Sequence, residues 1–464
     1  MKRLISCVLA LLYVMAGFAS GTWILHGKEY RVDTLYHAYI GPGTTQTSIK
    51  LAGPVNLRVF YTTTDLKNEN VDVRAIKHKD TLTGLGTVSN AAESHSTSNR
   101  SYFAGINADF FSSSMPCGIT VVDGEVYCSD QASGWSLFGI DANKIPYSGG
   151  GDFYVKLTAP DYSTAELSAM NLERGTNGLV LYSSRKGANT GTDGNGSEVV
   201  LIPDGEGNFL TPGATVRMRV QGNPNHAGSM PILDNGYILS GSGTKESFVS
   251  NLSEGDVVEV RCAIRFNGFT GGKIQQALGG CPMLVSGGKV LDTENALDHL
   301  TSAQPRTAVG YNAEKNKLVM LVADGRSSIS VGPISKVLAD IMIYAGCSEA
   351  MNFDGGGSST FYVKGEGVIN QPSDGSERSV TDGLYLSTDA PQNDVTITTI
   401  RFMDYAKTLN QGDAYTPVIY GYNQYGVLVD RNVEGVTLSC GSSLGTITND
   451  GTTLNASGRG THML

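Results

Sequence analysis

Short stretches in which apolar and polar residues alternate, each closed after about ten residues by a Gly, Asn, Asp or Ser turn, dominate this chain. Val55 to Thr62 and Val71 to Lys77 alternate with period two, the pattern of a half-buried strand. Between about Gly150 and Val290 the pattern recurs at Gly178–Tyr182, Glu198–Ile202, Gly236–Leu239 and Val257–Ile264, and helical periodicity is hard to find. The turns explain why 58 of 464 residues are glycine, where an average chain carries ~7%. No G-X-Y period accompanies them, so collagen is excluded. An apolar content of 40% suffices for a core and excludes wholesale disorder. One helix is clear: Ile334, Val337, Leu338, Ile341, Met342 and Ala345 share a face, with Pro333 suited to the first turn and Gly346 to the stop. Ala91 to Tyr102 reads as a short surface helix. The expected class is α+β: a strand-rich mixed or antiparallel sheet with a few packed helices, then a small all-β sandwich module.

The N-terminus joins Lys2 and Arg3 to an apolar run from Leu4 to Phe18 and the small residues Ala19–Gly21. This is the pattern of a secretory signal peptide over residues 1–20. The run is shorter than the ~20 residues a membrane span needs, and no second such run follows. An exported protein, periplasmic, cell-surface or secreted, is expected. Its 34 basic against 44 acidic residues, a net charge of −10, and the lack of a dense Lys/Arg cluster exclude a nucleic-acid binder.

Six cysteines follow the signal: Cys117, Cys128, Cys262, Cys281, Cys347 and Cys440. Their spacing fits no zinc pattern. Asp123-Gly124 is a type I′ hairpin signal. Counting outward from it sets Cys128 opposite Ile119 and Cys117 opposite Asp130, a diagonal pair that bridges only if the hairpin bends. The histidines are scattered, with no HExxH, and no nucleophile elbow, Rossmann fingerprint or P-loop is found.

From about residue 391 to 464 short strands (Val395–Arg401, Pro417–Tyr420, Gly435–Ser439) lie between turn signals, as in a β-sandwich. The segment Gly421–Gly426, GYNQYG, and the stretch after it resemble bacterial immunoglobulin-like repeats, with Leu464 falling a strand or two short of a full module.

Four polar clusters break the pattern. Asn107 and Asp109 sit between Gly105-Ile106 and Phe110-Phe111, in what reads as a buried strand from Phe103 to Phe111; an unpartnered buried carboxylate is costly. Arg306 and Thr307 lead into the strand Ala308–Tyr311. Asp324-Gly325-Arg326-Ser327 follows the strand Leu318–Ala323. Asn352-Phe353-Asp354-Gly355-Gly356-Gly357-Ser358-Ser359-Thr360 lies between two strand-like stretches, where a flexible linker does not belong and where bare backbone suits close approach of a ligand. Asp109, Asp324 and Asp354 supply carboxylates for work at an acetal carbon. Arg306 and Arg326 supply forks matched to phosphate. The N–H groups of Gly355–Gly357 and the hydroxyls of Ser358 and Ser359 suit an oxyanion. Carboxylates beside arginines suggest a substrate that is both sugar and phosphate. The three aspartates would also suit a hard divalent cation; no cofactor is otherwise indicated.

INADFF (106–111), GGCPMLVSGGKV (279–290), PRTAVGY (305–311), ADGRSS (323–328), NFDGGGSST (352–360) and the run from Glu377 to Leu384 together resemble the phosphodiester glycosidase family over roughly residues 50–388. Two departures are Cys281 in GGCP and Pro333 after DGRSS. The resemblance implies a catalytic domain over 21–390, with residues 150–290 as a β-rich insert or lid. It also implies hydrolysis between an anomeric carbon and a phosphate oxygen, on a sugar-1-phosphodiester of the N-acetylhexosamine-phosphate-glycan type. Carried over by position, the catalytic residues would be Asp109, Asp324 and Asp354. The substrate site would hold Asn107, Arg306, Thr307, Arg326, Asn352, Gly355, Gly356, Gly357, Ser358 and Ser359. The expected partner is a phosphorylated glycan or cell-surface polysaccharide. The alternative is a surface carbohydrate-binding or adhesion protein that keeps the fold without the activity.

Overall fold

The computed structural model describes residues 21–457 except 131–133, 206–208, 268, 271, 293–301, 405–408 and 449. The expected signal peptide lies outside the described residues. Two sheets face each other across one core. The larger has nine strands, and its middle runs Asn56–Asp65, Lys317–Ala323, Arg306–Tyr311, Glu349–Asn352. The smaller has five, with Phe361–Val363, Ser101–Asn107, Asp382–Thr388 and Asp72–Lys77 adjacent in that order. Val309, Met320, Val322, Met351 and Phe353 from the first layer meet Ile106, Phe361, Leu384 and Leu386 from the second. These strands are buried on both faces, so they read as continuous apolar runs.

The helix Ser335–Tyr344 covers the outer face of the nine-stranded sheet through Leu338, Ile341 and Met342. Pro333 lies before its cap, Ile334, and not within the first turn. The helix ends in a Schellman motif: Gly346 takes φ +98°, its N–H donates to the Ile343 carbonyl, and the Cys347 N–H donates to the Met342 carbonyl. A second helix occupies Val88–Ser94, capped by the Thr87 side chain. It starts earlier than its polar sequence suggests and gives way to the strand at Ser101.

A thirteen-stranded sheet draws on residues 120–280 and gathers its own core around Leu137, Val155, Leu181, Val199 and Val260. Pairing among the described strands is antiparallel except between Ala169–Met170 and Leu179–Tyr182. Asp123 and Gly124 both take positive φ at the predicted hairpin. A register shift between Val126 and Cys128 places Cys128 opposite Thr120 instead of Ile119, and Cys117 and Cys128 are both free thiols.

The C-terminal segment holds two three-stranded antiparallel sheets, Thr399–Phe402/Ile419–Tyr422/Leu428–Asp430 and Ala414–Tyr415/Leu454–Ala456/Gly445–Ile447. Val395–Ile397 and Gly435–Ser439 are not strands. This segment packs on the rest of the molecule. The Tyr422 hydroxyl donates to the Tyr39 carbonyl (2.8 Å), and Arg431 pairs with Glu366 (2.7 Å) and donates to the Lys364 carbonyl (2.8 Å). Among the described residues no helix is long and apolar enough to cross a membrane.

Candidate active site

Antiparallel pairing gathers residues that are far apart in sequence. Arg306 opens its strand opposite Ala323, so Asp324 emerges beside it. Ala308 pairs with Asn352, so Phe353 and Asp354 emerge on the other side. The segment from Phe353 to Thr360 then crosses from the nine-stranded to the five-stranded sheet, with a single 3₁₀ turn at Gly356–Ser358. It lands at Phe361 opposite Ile106, next to Asn107 at the end of its strand. The glycine run is therefore neither linker nor simple turn. It closes the seam between two layers.

Asn107 ties that seam. Its Nδ2 donates to the Asp354 carbonyl (2.7 Å), and its Oδ1 accepts from Thr307 Oγ1 (2.8 Å) and from the Thr360 N–H (3.1 Å). Thr307 also reaches Ser359 Oγ (3.2 Å). Asn352 Nδ2 donates to the carbonyls of Cys281 (2.8 Å) and Phe353 (2.5 Å). Asn107, Thr307, Asn352 and Ser359 are all buried. Their side chains hold backbone and one another, which is a reason for polar residues in an apolar setting other than substrate contact.

The strand expected over Phe103–Phe111 ends at Asn107. Asp109 follows it and is buried with 1% exposure. Its backbone N–H donates to Asp382 Oδ1 (2.9 Å), and its Oδ2 accepts the N–H groups of Gly118 (3.0 Å) and Gly279 (3.2 Å). A Cβ on either glycine would stand 2.7 Å from that oxygen, so only glycine lets both N–H groups approach. Burial, then the charge of Asp382, push the Asp109 carboxyl well above the usual carboxylate range. Asp382 is raised by burial too, with the Lys77 ammonium opposing. This geometry ties Asp109 to Asp382 of the five-stranded sheet on one side and to Gly118 and Gly279, at the thirteen-stranded sheet, on the other.

Asp324 and Asp354 are different. Asp324 Oδ1 accepts from the Gln371 N–H (2.9 Å) and Asn370 Nδ2 (3.3 Å), and its buried Oδ2 has no protein partner. Burial pushes its carboxyl up to about 6, against those two donors. Asp354 is only half-buried. Burial pushes it also to about 6, opposed by the Ser358 hydroxyl and the Arg378 charge. Two carboxyls near 6 can divide acid and base roles at near-neutral pH.

Arg306 is buried; its Nη2 donates to the Ser302 carbonyl (2.5 Å) and its Nε to the Pro333 carbonyl (3.5 Å). Burial, then the nearby Arg326, lower it to about 10. Arg326 takes φ +58°. It bonds Gln304 (2.7 Å) and Ser373 (3.5 Å), and its guanidinium lies against Gly356, where a Cβ would stand 3.0 Å from Nη2. Like-charged arginines beside each other and beside bare backbone suit an anion. Among the described residues no group of three or more His, Cys, Asp or Glu side chains is placed to hold a metal ion.

Sequence reasoning passed over Lys77, Asn370, Gln371, Asp374, Arg378 and Asp382. Arg378 and Asp382 lay inside the quoted Glu377–Leu384 run and were legible as charges next to a strand. Asn370 and Gln371 carry no signal, because a loop amide reveals its target only once folded.

Residues 213–387 match the family model described as phosphodiester glycosidase. The matched stretch holds Arg306, Asp324, Arg326, the glycine loop, Arg378 and Asp382; Asn107 and Asp109 precede it. An 88-residue stretch is 40% identical to the SPbeta prophage-derived uncharacterized protein YomE of Bacillus subtilis strain 168, covering 19% of this chain and 13% of that protein. Two crystal structures share the fold. One is a hypothetical protein from Synechocystis, with TM-score 0.57 and 15% identity over 75% of this chain and 62% of that one. The other is a protein of Burkholderia pseudomallei K96243 described as a candidate exported protein, with TM-score 0.55 and 21% identity over 72% of this chain and 75% of that one. The chain thus spans about an eighth of the curated relative and under two thirds of the Synechocystis protein. The matched stretch supplies the acids and arginines that meet at one end of the paired strands.

Proposed function

We propose that this protein is an exported hydrolase that cleaves a sugar-1-phosphodiester, of the N-acetylhexosamine-phosphate-glycan type, to free sugar and a phosphomonoester. The observation that carries the reading is the pair Asp324 and Asp354, both pushed up to about 6, flanking a glycine loop with Arg306 and Arg326 at its edge. Near pH 6 one carboxyl is protonated and donates to the departing phosphate oxygen. The other is ionised and takes a proton from water, or attacks the anomeric carbon itself. Water supplies hydroxyl to the sugar and its proton ends on the phosphate side. The distance between the two carboxyls sets the stereochemical course, ~5 Å for retention and ~6.5–9.5 Å for inversion.

The basic n-region and apolar run at the N-terminus support export, and the two three-stranded C-terminal sheets support a module of immunoglobulin-like type. The test is release of N-acetylglucosamine from its 1-phosphodiesters by purified protein, with Asp324→Asn, Asp354→Asn and Arg306→Ala as controls. Turnover that survives all three substitutions refutes the assignment. Tight binding of a phosphoglycan without product favours the binding-protein alternative.

A further inference from the structure

A third arginine faces the glycine loop, and it already holds an anion. Arg378 donates from Nε (2.8 Å) and Nη2 (2.6 Å) to a single oxygen, Oδ2 of Asp374. The pair sits directly on Gly357, where a Cβ would collide with the Arg378 guanidinium and with both Asp374 oxygens. The third nitrogen, Nη1, reaches Ser358 Oγ (3.3 Å), and Ser358 in turn supports the Asp354 carboxyl. The position is built from below: Glu377 receives the Ser89 N–H (2.9 Å) and hydroxyl (2.5 Å) at the start of the helix Val88–Ser94, and Val380 exchanges hydrogen bonds with Gly86. Gly356 on the same loop faces Arg326. Two guanidinium groups therefore flank adjacent bare residues next to a candidate catalytic acid.

Both members of the Asp374–Arg378 pair are open to water, with side chains 36% and 41% exposed. Exposed pairs of this kind are weak and exchangeable, whereas a phosphate offers an arginine fork more acceptors and more charge. We propose that the corner formed by Gly357, Ser358 and Arg378 is the seat of the substrate's phosphate, and that Asp374 is an internal stand-in which the phosphate displaces. The inference rests on the phosphodiester reading for its ligand class and adds the residue that decides affinity. Asp374 then tunes selectivity. Neutral glycosides cannot displace it, and phosphorylated ones can.

The probe is inorganic phosphate, titrated calorimetrically into the wild type, Asp374→Asn, Arg378→Lys and Arg378→Ala, with KM and kcat measured on a sugar-1-phosphodiester and circular dichroism confirming the fold. Asp374→Asn is expected to bind phosphate several-fold more tightly and to lower KM. Arg378→Ala is expected to weaken binding and raise KM by about tenfold or more, with Arg378→Lys between. Phosphate affinity that is unchanged or lower in Asp374→Asn overturns the proposal, as does a KM insensitive to Arg378→Ala or the absence of phosphate binding in every form. If phosphate titrates as expected but no sugar-1-phosphodiester is hydrolysed, the anion seat stands and the activity assignment falls. If hydrolysis is normal and indifferent to both positions, the reverse holds.

Discussion

Replacing Asp324 by Asn separates the proposed catalytic role of this carboxyl from its energetic cost. The carboxyl is buried, with 1% exposure, and held at about 6 against an ordinary 3.8. A raised folded pKa means that the native state binds more protons than the unfolded chain between those two values. Stability from this group is therefore complete below about pH 4 and is lost as pH rises through 6. Roughly two pH units at ~1.4 kcal/mol each give a loss of about 3 kcal/mol by neutral pH. The Asn side chain keeps an oxygen for the Gln371 N–H and Asn370, but places an amide where Oδ2 has no protein partner. That costs ~1 kcal/mol, independent of pH. The variant is thus expected to be about 1 kcal/mol less stable than the wild type near pH 4 and about 2 kcal/mol more stable above pH ~7, while kcat/KM falls 10²–10⁴-fold, the usual worth of a general acid or base. Urea unfolding of both proteins across this range, with turnover in the same buffers, checks it. Parallel stability curves, with a constant offset at every pH, would refute the reasoning even if activity were lost.

With Asp324 and Asp354 both near 6, kcat/KM should trace a narrow bell with its maximum near pH 6; a plateau extending past pH 8 contradicts the acid–base assignment. Gly357→Ala should collide with the Asp374–Arg378 pair, at ~1–3 kcal/mol for overpacking, and combining it with Asp374→Ala should recover part of the lost stability in denaturant unfolding; a double variant no more stable than the single one argues against that geometry. Asn107→Ala removes three hydrogen bonds across the seam and should cost about 3 kcal/mol, measured by denaturant unfolding, together with most activity. Chelation with EDTA should leave turnover unchanged, and a loss restored by a divalent cation would reverse that expectation.

The helix at 335–344 was legible because its apolar face repeats at helical spacing and its Gly346 stop is local chemistry. The Asp123-Gly124 hairpin was legible for the same reason; its register was not, since the shift before Cys128 is set by neighbouring strands. Arg306, Asp324, Arg326 and Asp354 stood out as charges at strand ends and do meet at one end of three paired strands. Asn107, Thr307 and Asn352 stood out as polar residues in apolar runs, but that signal is the same for a residue that holds a ligand and one that holds backbone. Asp109 shows the limit most clearly. Its sequence neighbourhood cannot reveal that Gly118 and Gly279, one close and one 170 positions away, both lend it their N–H groups. Nor could spacing tell that Arg378 reaches Ser358, because the loop between them folds back on itself.

The grip of Arg431 on Glu366 and the Lys364 carbonyl has a mechanical meaning. The segment it holds is the turn leaving Phe361–Val363, the first strand after the glycine loop. The same C-terminal segment also bonds Tyr39 on the nine-stranded sheet and continues directly from the strand Asp382–Thr388, so it is fastened to both acid-bearing layers at once. A load on the tail would then be shared between the two layers that the glycine loop joins, and one of its grips lies on the turn just after that loop's strand.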